Sequence, residues 1–291
     1  MTKRKPQIIT KTGVPYAEWA INPIQGCYHG CRYPCYAFKI AKRFKRFKHI
    51  YDWSSNVTYR WENTIDMLRD ELERKKKRKA LPKDVYLCFS TDPFPYWEDW
   101  DTDGPKRMIA FLSEMIMEEL TRFDVHVTVL TKGRLPTPSY LEFGGLLLGH
   151  GHDWGISLVS TSSEFQKKWE PGASPPDQRV AMLKALHDCG ERTWVSMEPL
   201  PPPEIHEVDM RNLLHTVEFV DHIVIGRWNY HRFERDWSGW YKEQVETARV
   251  FCEHRGIGLK VKDIFDEDLT VICQEVGHVP EPQTSLAEFG G

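Results

Sequence analysis

No apolar run in this chain approaches the roughly 20 positions that a bilayer-spanning helix requires, and the basic start Met1-Thr2-Lys3-Arg4-Lys5-Pro6 precedes no apolar signal core. A cytoplasmic protein with no membrane partner is expected. Charge of one sign is also missing: 39 Lys and Arg face 42 Asp and Glu, a formal net charge of −3. Any basic surface for nucleic acid must therefore be local. A disulfide framework is excluded on number and compartment, because the seven cysteines are odd in count and cytosolic thiols are kept reduced. Metal binding or catalysis becomes their default role. Internal repeats and low-complexity tracts are lacking too. What is present, 41% hydrophobic and 28% charged positions over 291 residues, suits a folded chain with a sizeable core.

Short β-branched or apolar runs at 85–90, 125–131, 154–159, 193–197, 222–225 and 258–261, with a further one near 19–24, have strand length. Between them, apolar residues recur at three- and four-residue spacing over 65–72, 108–120, 180–186, 213–220 and 245–251, as amphipathic helices require. Strands that alternate with helices, and that are apolar enough for burial on both faces, predict an α/β fold with a parallel sheet. About six or seven such units make a partial or complete parallel (β/α) barrel, with a doubly wound open sheet as the alternative. The barrel is expected over 19–265, after an N-terminal extension at 1–18 and before a partly disordered polar tail at 266–291. Chemistry is expected just beyond the carboxyl ends of the strands.

Three of the seven cysteines, Cys27, Cys31 and Cys35, fall within nine positions of the stretch Asn22-Pro23-Ile24-Gln25-Gly26-Cys27-Tyr28-His29-Gly30-Cys31-Arg32-Tyr33-Pro34-Cys35-Tyr36-Ala37. A spacing of four fits one face of a helix with buried thiols, but Gly26, Gly30 and Pro34 oppose a helix here. A looping backbone that converges three thiolates suits iron–sulfur ligation. Zinc is the other reading, with His29 completing a Cys₃His set.

The order Gly-Cys-x-His-Gly-Cys-x-Tyr over residues 26–33 resembles the radical S-adenosylmethionine superfamily, and more narrowly its spore photoproduct lyase-like branch. That family spaces its cysteines by three and then two residues, with an aromatic just before the last. Here Pro34 lengthens the second gap by one residue. The resemblance implies a [4Fe-4S] cluster on Cys27, Cys31 and Cys35 with one open iron, which chelates S-adenosylmethionine. Reductive cleavage then yields a 5′-deoxyadenosyl radical. A low-potential electron donor such as flavodoxin or ferredoxin is implied as partner, and the outcome, lyase or transferase, stays open. Tyr33, as the motif's aromatic, joins the implied cofactor contacts.

Later segments are similar to the family's strands in the same order. Thr91-Asp92-Pro93-Phe94 resembles a Thr-Asp-Pro-Tyr signature, which implies that Thr91 and Asp92 meet the cofactor's amino group; a turn before Pro93 is the plainer reading of Asp92. Thr131-Lys132-Gly133 implies that Lys132 approaches the cofactor, against a solvated lysine. Ile156-Ser157-Leu158 makes Ser157 a ribose or carboxylate contact, and Ser196-Met197-Glu198-Pro199 places Glu198 near the adenine. Cys88, on the same strand face as Ser90, is the candidate hydrogen donor. The segment Trp169-Glu170-Pro171-Gly172-Ala173, with Arg179 following, resembles the entry to the branch's fourth helix, where Glu170 and Arg179 also read as a structural ion pair or brace. Arg227 and Asn229, after the sixth strand, face substrate in this reading.

Nucleic acid is a candidate substrate. Lys39, Lys42, Arg43, Lys45, Arg46 and Lys48 interleave with Phe38, Phe44 and Phe47, which suits phosphate contact plus base stacking or else an amphipathic helix over the cysteine loop. The basic run 74–79 reads as a helix end, and the acidic stretch 96–103 would repel phosphate. A non-catalytic zinc- or iron–sulfur-binding adaptor, or an electron-transfer protein, is the alternative function. His150 and His152 precede a strand, at the end away from catalysis, and read as loop residues.

Overall fold

A computed structural model of the chain describes residues 7–14, 17–44, 46–98, 103–136 and 147–262. The expected tail at 266–291, with Cys273, lies outside the described residues. One eight-stranded sheet organises the rest, in the order β1 (Ile9–Val14), β2 (Ala17–Ile21), β5 (Asp84–Leu87), β6 (His126–Thr131), β7 (Asp153–Ser157), β8 (Arg192–Leu200), β9 (His222–Arg227) and β10 (Gly258–Lys262). From β2 onward every neighbouring pair is parallel; only β1 runs antiparallel, against β2. Within the segment 1–18 expected as an extension, Ile9–Val14 form the edge strand and Ala17 and Glu18 begin the next one. Between β2 and β5, a two-stranded antiparallel ribbon joins β3 (Ile24–Gln25) to β4 (Thr58–Tyr59).

The seven strand-length runs and five helical patterns all appear, because alternation along each strand sorts side chains onto two faces. Val85, Leu87, Val127, Val129, Trp154, Ile156, Val195, Met197, Ile223 and Ile225 point one way into the main core. Helices α3 (Thr64–Lys77), α4 (Gly104–Thr121), α6 (Pro176–Asp188), α7 (Met210–Thr216) and α8 (Ser238–Arg255) cover that face. On α4 the buried residues Ile109, Ala110, Ser113, Ile116, Met117 and Leu120 make one stripe at three- and four-residue spacing. The basic run ends α3, where its cations meet the negative end of the helix dipole.

The other face is concave. Ala20, Tyr86, Trp194 and Val224 form a smaller core there; Tyr86 stacks on Phe89 at 3.9 Å, and Trp194 Nε1–H donates to the Val129 carbonyl at 3.1 Å. The curled parallel sheet with its helices on one side is a half-barrel, the partial form of the expected fold. Among the described residues no helix is long and apolar enough to cross a membrane.

Two helices lie between the cysteines and α3: α1 (Tyr36–Arg43), which begins directly after Cys35, and α2 (Ile50–Ser55). The basic stretch read as one helix is therefore broken after Arg43. A further short helix, α5 (Ser163–Trp169), follows β7.

Candidate active site

The loops at the carboxyl ends of β2, β5, β6, β7, β8 and β9 surround one cavity of about 420 Å³, within the range of small-molecule and cofactor sites. Cys27, Cys31 and Cys35 all line it, together with Tyr33, Cys88, Thr91, Asp92, Lys132, Ser157 and Glu198. Every site residue expected from the sequence thus reaches the same space. Tyr86, Phe89 and Leu130 from the concave core also line the cavity.

The cysteine loop owes its shape to close backbone approaches. At Gly26 (φ +92°) a Cβ would lie 2.9 Å from the Trp53 and Asn56 carbonyl oxygens, so a side chain is barred by both conformation and space. Cys27 N–H donates to the Trp53 carbonyl at 3.2 Å, and the Thr91 hydroxyl to the Gly26 carbonyl. From the other side comes the loop after α5: Arg32 N–H donates to Trp169 O at 2.8 Å and Gly172 N–H to His29 O at 2.9 Å. A Cβ on Gly172 would stand 2.3 Å from Tyr28 O, which explains the glycine.

Two buried carboxylates complete the loop's attachment. Asp92 Oδ2 accepts from His29 Nε2 at 2.7 Å and from Lys132 N–H at 2.8 Å, while its Oδ1 accepts from the Thr131 hydroxyl at 2.6 Å and Phe94 N–H at 2.9 Å. Glu170 Oε1 accepts from the Tyr33 hydroxyl at 2.9 Å, and its Oε2 from Arg179 Nη2 at 2.7 Å. Arg179, 1% exposed, donates also to Ser174 O and Ser157 O. The ion-pair reading of Glu170 and Arg179 is thereby realised as a brace of the cysteine loop.

Electrostatics follows from this burial. Desolvation alone would raise the Asp92 carboxyl, but His29 and the bonds from Thr131 and Lys132 outweigh it and hold it below the usual range. Glu170 is likewise held low, by Arg179, Lys132 and Tyr33 against its burial. The thiols move the other way. Burial pushes Cys31 up to about 12, and burial with Asp92 and Cys31 nearby raises Cys27 well above its ordinary value. Cys27 and Cys31 are thus protonated as they stand, so ligation must displace their protons.

The donor set was tested against the two expected groups. His29 Nδ1 lies 2.9 Å from the Gly172 carbonyl, which only accepts, and Nε2 faces the Asp92 carboxylate, so neither ring nitrogen is available to a metal. That removes the fourth ligand of the Cys₃His zinc reading. Three thiols line one cavity, with polar groups left over for a second ligand, and in kind they fit the donor set of a three-cysteine cluster. Among the described residues, no three His, Cys, Asp or Glu side chains close tightly enough around one point to hold a single ion.

No family model matches the chain. Among solved structures, spore photoproduct lyase with bound AdoMet and dinucleoside spore photoproduct superposes with a TM-score of 0.63 at 15% identity, over 88% of this chain and 79% of that one. The fold is similar to that of spore photoproduct lyase. Streptococcus suis SuiB bound to S-adenosylmethionine also matches, with a TM-score of 0.50 at 13% identity over 83% of this chain and 46% of that one. Curated relatives are more similar in sequence but are described only as uncharacterised. One from Methanocaldococcus jannaschii is 23% identical over 203 residues, 68% of this chain and 66% of its own length. Another from Mycobacterium tuberculosis is 25% identical over 185 residues, 64% and 50% respectively, and one from Acidianus two-tailed virus is 23% identical over 229 residues, 73% and 69%. The chain thus spans half of the mycobacterial relative and just under two thirds of the archaeal one.

Within this fold the expected residues divide by what their polar atoms do. Thr91 and Asp92 hold the cysteine loop through the bonds given above. Lys132 Nζ stands 3.9 Å from Glu170 Oε1 and 5.8 Å from the Tyr33 ring centre. Glu198 pairs with Lys262, a cavity residue absent from the sequence reading although it lies directly after the run 258–261, where the strand-end rule points. Cys88 lies just past β5 with φ +66°, so strand alternation does not govern it, yet it is buried and lines the cavity. His152 is buried at the opposite end of the sheet, where its Nδ1 accepts from Val127 N–H at 3.2 Å.

Proposed function

We propose that the chain is a radical S-adenosylmethionine enzyme. The observation that carries this reading is the placement of three thiols of one braced loop, with Lys132, Ser157 and Glu198, around a single cavity at the carboxyl ends of the strands. Cys27, Cys31 and Cys35 would hold a [4Fe-4S] cluster. When bound, the cluster and S-adenosylmethionine supply the reductive cleavage that generates a 5′-deoxyadenosyl radical. Lys132 suits the cofactor's carboxylate and Ser157 its remaining polar atoms, while Glu198 and Lys262 offer charges of both signs. Tyr86, Phe89 and Leu130 exclude water beneath, and a low-potential donor of the flavodoxin or ferredoxin kind supplies the electron.

For the substrate, one observation favours nucleic acid. Residues 26–60 carry eight Lys and Arg against one Asp, in a chain of net charge −3. The same segment exposes Tyr36, Phe44, Tyr51 and Tyr59, and Tyr230 joins Tyr36 at the cavity, with Lys39 Nζ 3.6 Å from the Tyr230 ring centre. Exposed aromatics among cations combine stacking with phosphate contact. Binding to a single-stranded oligonucleotide is expected to weaken steeply with salt, and charge reversal at Lys42 and Arg43 to weaken it further. Salt-independent or absent binding would refute this substrate class.

The enzymatic reading is tested by incubating the anaerobically reconstituted chain with a strong reductant and S-adenosylmethionine, without substrate. Release of 5′-deoxyadenosine, abolished in Cys31→Ala, is the expected result. A wild type that carries a full cluster yet neither binds the cofactor nor releases the nucleoside would contradict it.

A further inference from the structure

His29 stands midway between Cys27 and Cys31, and Tyr33 midway between Cys31 and Cys35. Each interval between thiols therefore has one buried side chain at its centre, and each of those side chains meets a buried carboxylate. His29 reaches Asp92 at 2.7 Å and Tyr33 reaches Glu170 at 2.9 Å. The two carboxylates are anchored in turn on different elements, Asp92 by Thr131 and Lys132 N–H at the end of β6, Glu170 by Arg179 on α6. A free loop containing Gly26 and Gly30 loses backbone entropy on ordering, so fixing its midpoints by other parts of the fold matters most before a metal is present.

We propose that His29–Asp92 and Tyr33–Glu170 are two positioning clamps, one for each interval, that assemble the three thiols before iron arrives. The proposal rests on reading Cys27, Cys31 and Cys35 as ligands. Neither clamp touches the metal; each acts through the cysteines on either side of it. It also gives Asp92 a different task from contact with the cofactor's amino group, since both its oxygens already accept two protein hydrogen bonds. A clamp at the middle of an interval must fail locally, freeing its two flanking thiols and leaving the third.

The test is the rate of alkylation of each cysteine by N-ethylmaleimide in the full-length, cluster-free chain, resolved by peptide mass spectrometry. In Tyr33→Phe, which removes only the hydroxyl, Cys31 and Cys35 should react at least tenfold faster than in wild type, with Cys27 within about twofold. In His29→Gln the accelerated pair should be Cys27 and Cys31, with Cys35 unchanged. Uniform acceleration of all three thiols, or wild-type rates in both variants, would overturn the proposal. Should His29→Gln fail to fold, Tyr33→Phe decides alone. Because these rates need no cluster, a wild type that refuses iron and sulfide would sink the enzymatic reading without deciding the clamps.

Discussion

Both ends of the sheet bury titratable groups, but to different effect. At the amino end His152 accepts from Val127 N–H and bonds the Thr121 hydroxyl, and Asp221 accepts from Thr193 N–H at 2.6 Å. These bonds close strand starts against helix ends. At the carboxyl end His29, Asp92, Glu170 and Arg179 brace a loop that lines a cavity of about 420 Å³ with three thiols. Buried charge by itself therefore does not mark a site. Convergence of bracing on ligating groups beside an open space does.

The largest effect is expected from Arg179→Ala, which leaves the buried Glu170 carboxylate without its partner at 2.7 Å. A loss of about 3–5 kcal/mol in denaturant unfolding is expected, as for other broken buried pairs. A loss below about 1 kcal/mol would mean that the brace is not under stress.

At the amino end the lever is pH. Burial, with His126 and His150 nearby, lowers His152 to about 4, so the folded state keeps the ring neutral while the unfolded chain protonates near 6.5. Its stabilisation is complete above about pH 6.5 and is lost as pH falls toward 4, by about 1.4 kcal/mol per unit, or roughly 3 kcal/mol in all. His222, also lowered to about 4 by burial and Arg192, adds to the same acid slope. His152→Gln should flatten the fall in melting temperature between pH 6.5 and 4, and an unchanged slope would exclude His152 as its source.

A smaller stability effect with a larger local one is expected for Gly172→Ala. The added methyl collides with Tyr28 O, costing about 1–3 kcal/mol by overpacking, and should lower the iron and sulfide bound per chain several-fold at a temperature where the fold is intact. Full loading would show that the cysteine loop does not depend on that approach. Least of all is expected from Lys184→Ala, whose pair with Asp188 at 2.8 Å is exposed on α6: under about 0.5 kcal/mol in the same unfolding measurement.

How far the sequence reveals all this depends on the range of the interaction. The strands from β5 to β9 are legible as short β-branched or apolar runs, β10 by Leu259 and Val261 alternating with lysines, and α4 because its stripe keeps one period. β1 is not, since Thr10, Lys11, Thr12 and Gly13 dilute the pattern of an edge strand held by pairing with β2. α5 offers only Phe165 and Trp169 as apolar residues, too few for a period to show. In the site, the thiols are legible from local spacing against Gly26, Gly30 and Pro34. The clamps are not, because His29 and Asp92 are 63 residues apart and Tyr33 and Glu170 137 apart.

The proposed function requires Cys27, Cys31 and Cys35 to form one three-thiol site for an iron–sulfur cluster. Anaerobic reconstitution of the full chain, followed by iron, sulfide and zinc analysis, tests it most directly. About four irons and four sulfides per chain are predicted, lost when any one of the three cysteines is replaced by Ala and retained in Cys189→Ala. Stoichiometric zinc without sulfide, or a full cluster in Cys35→Ala, would contradict it.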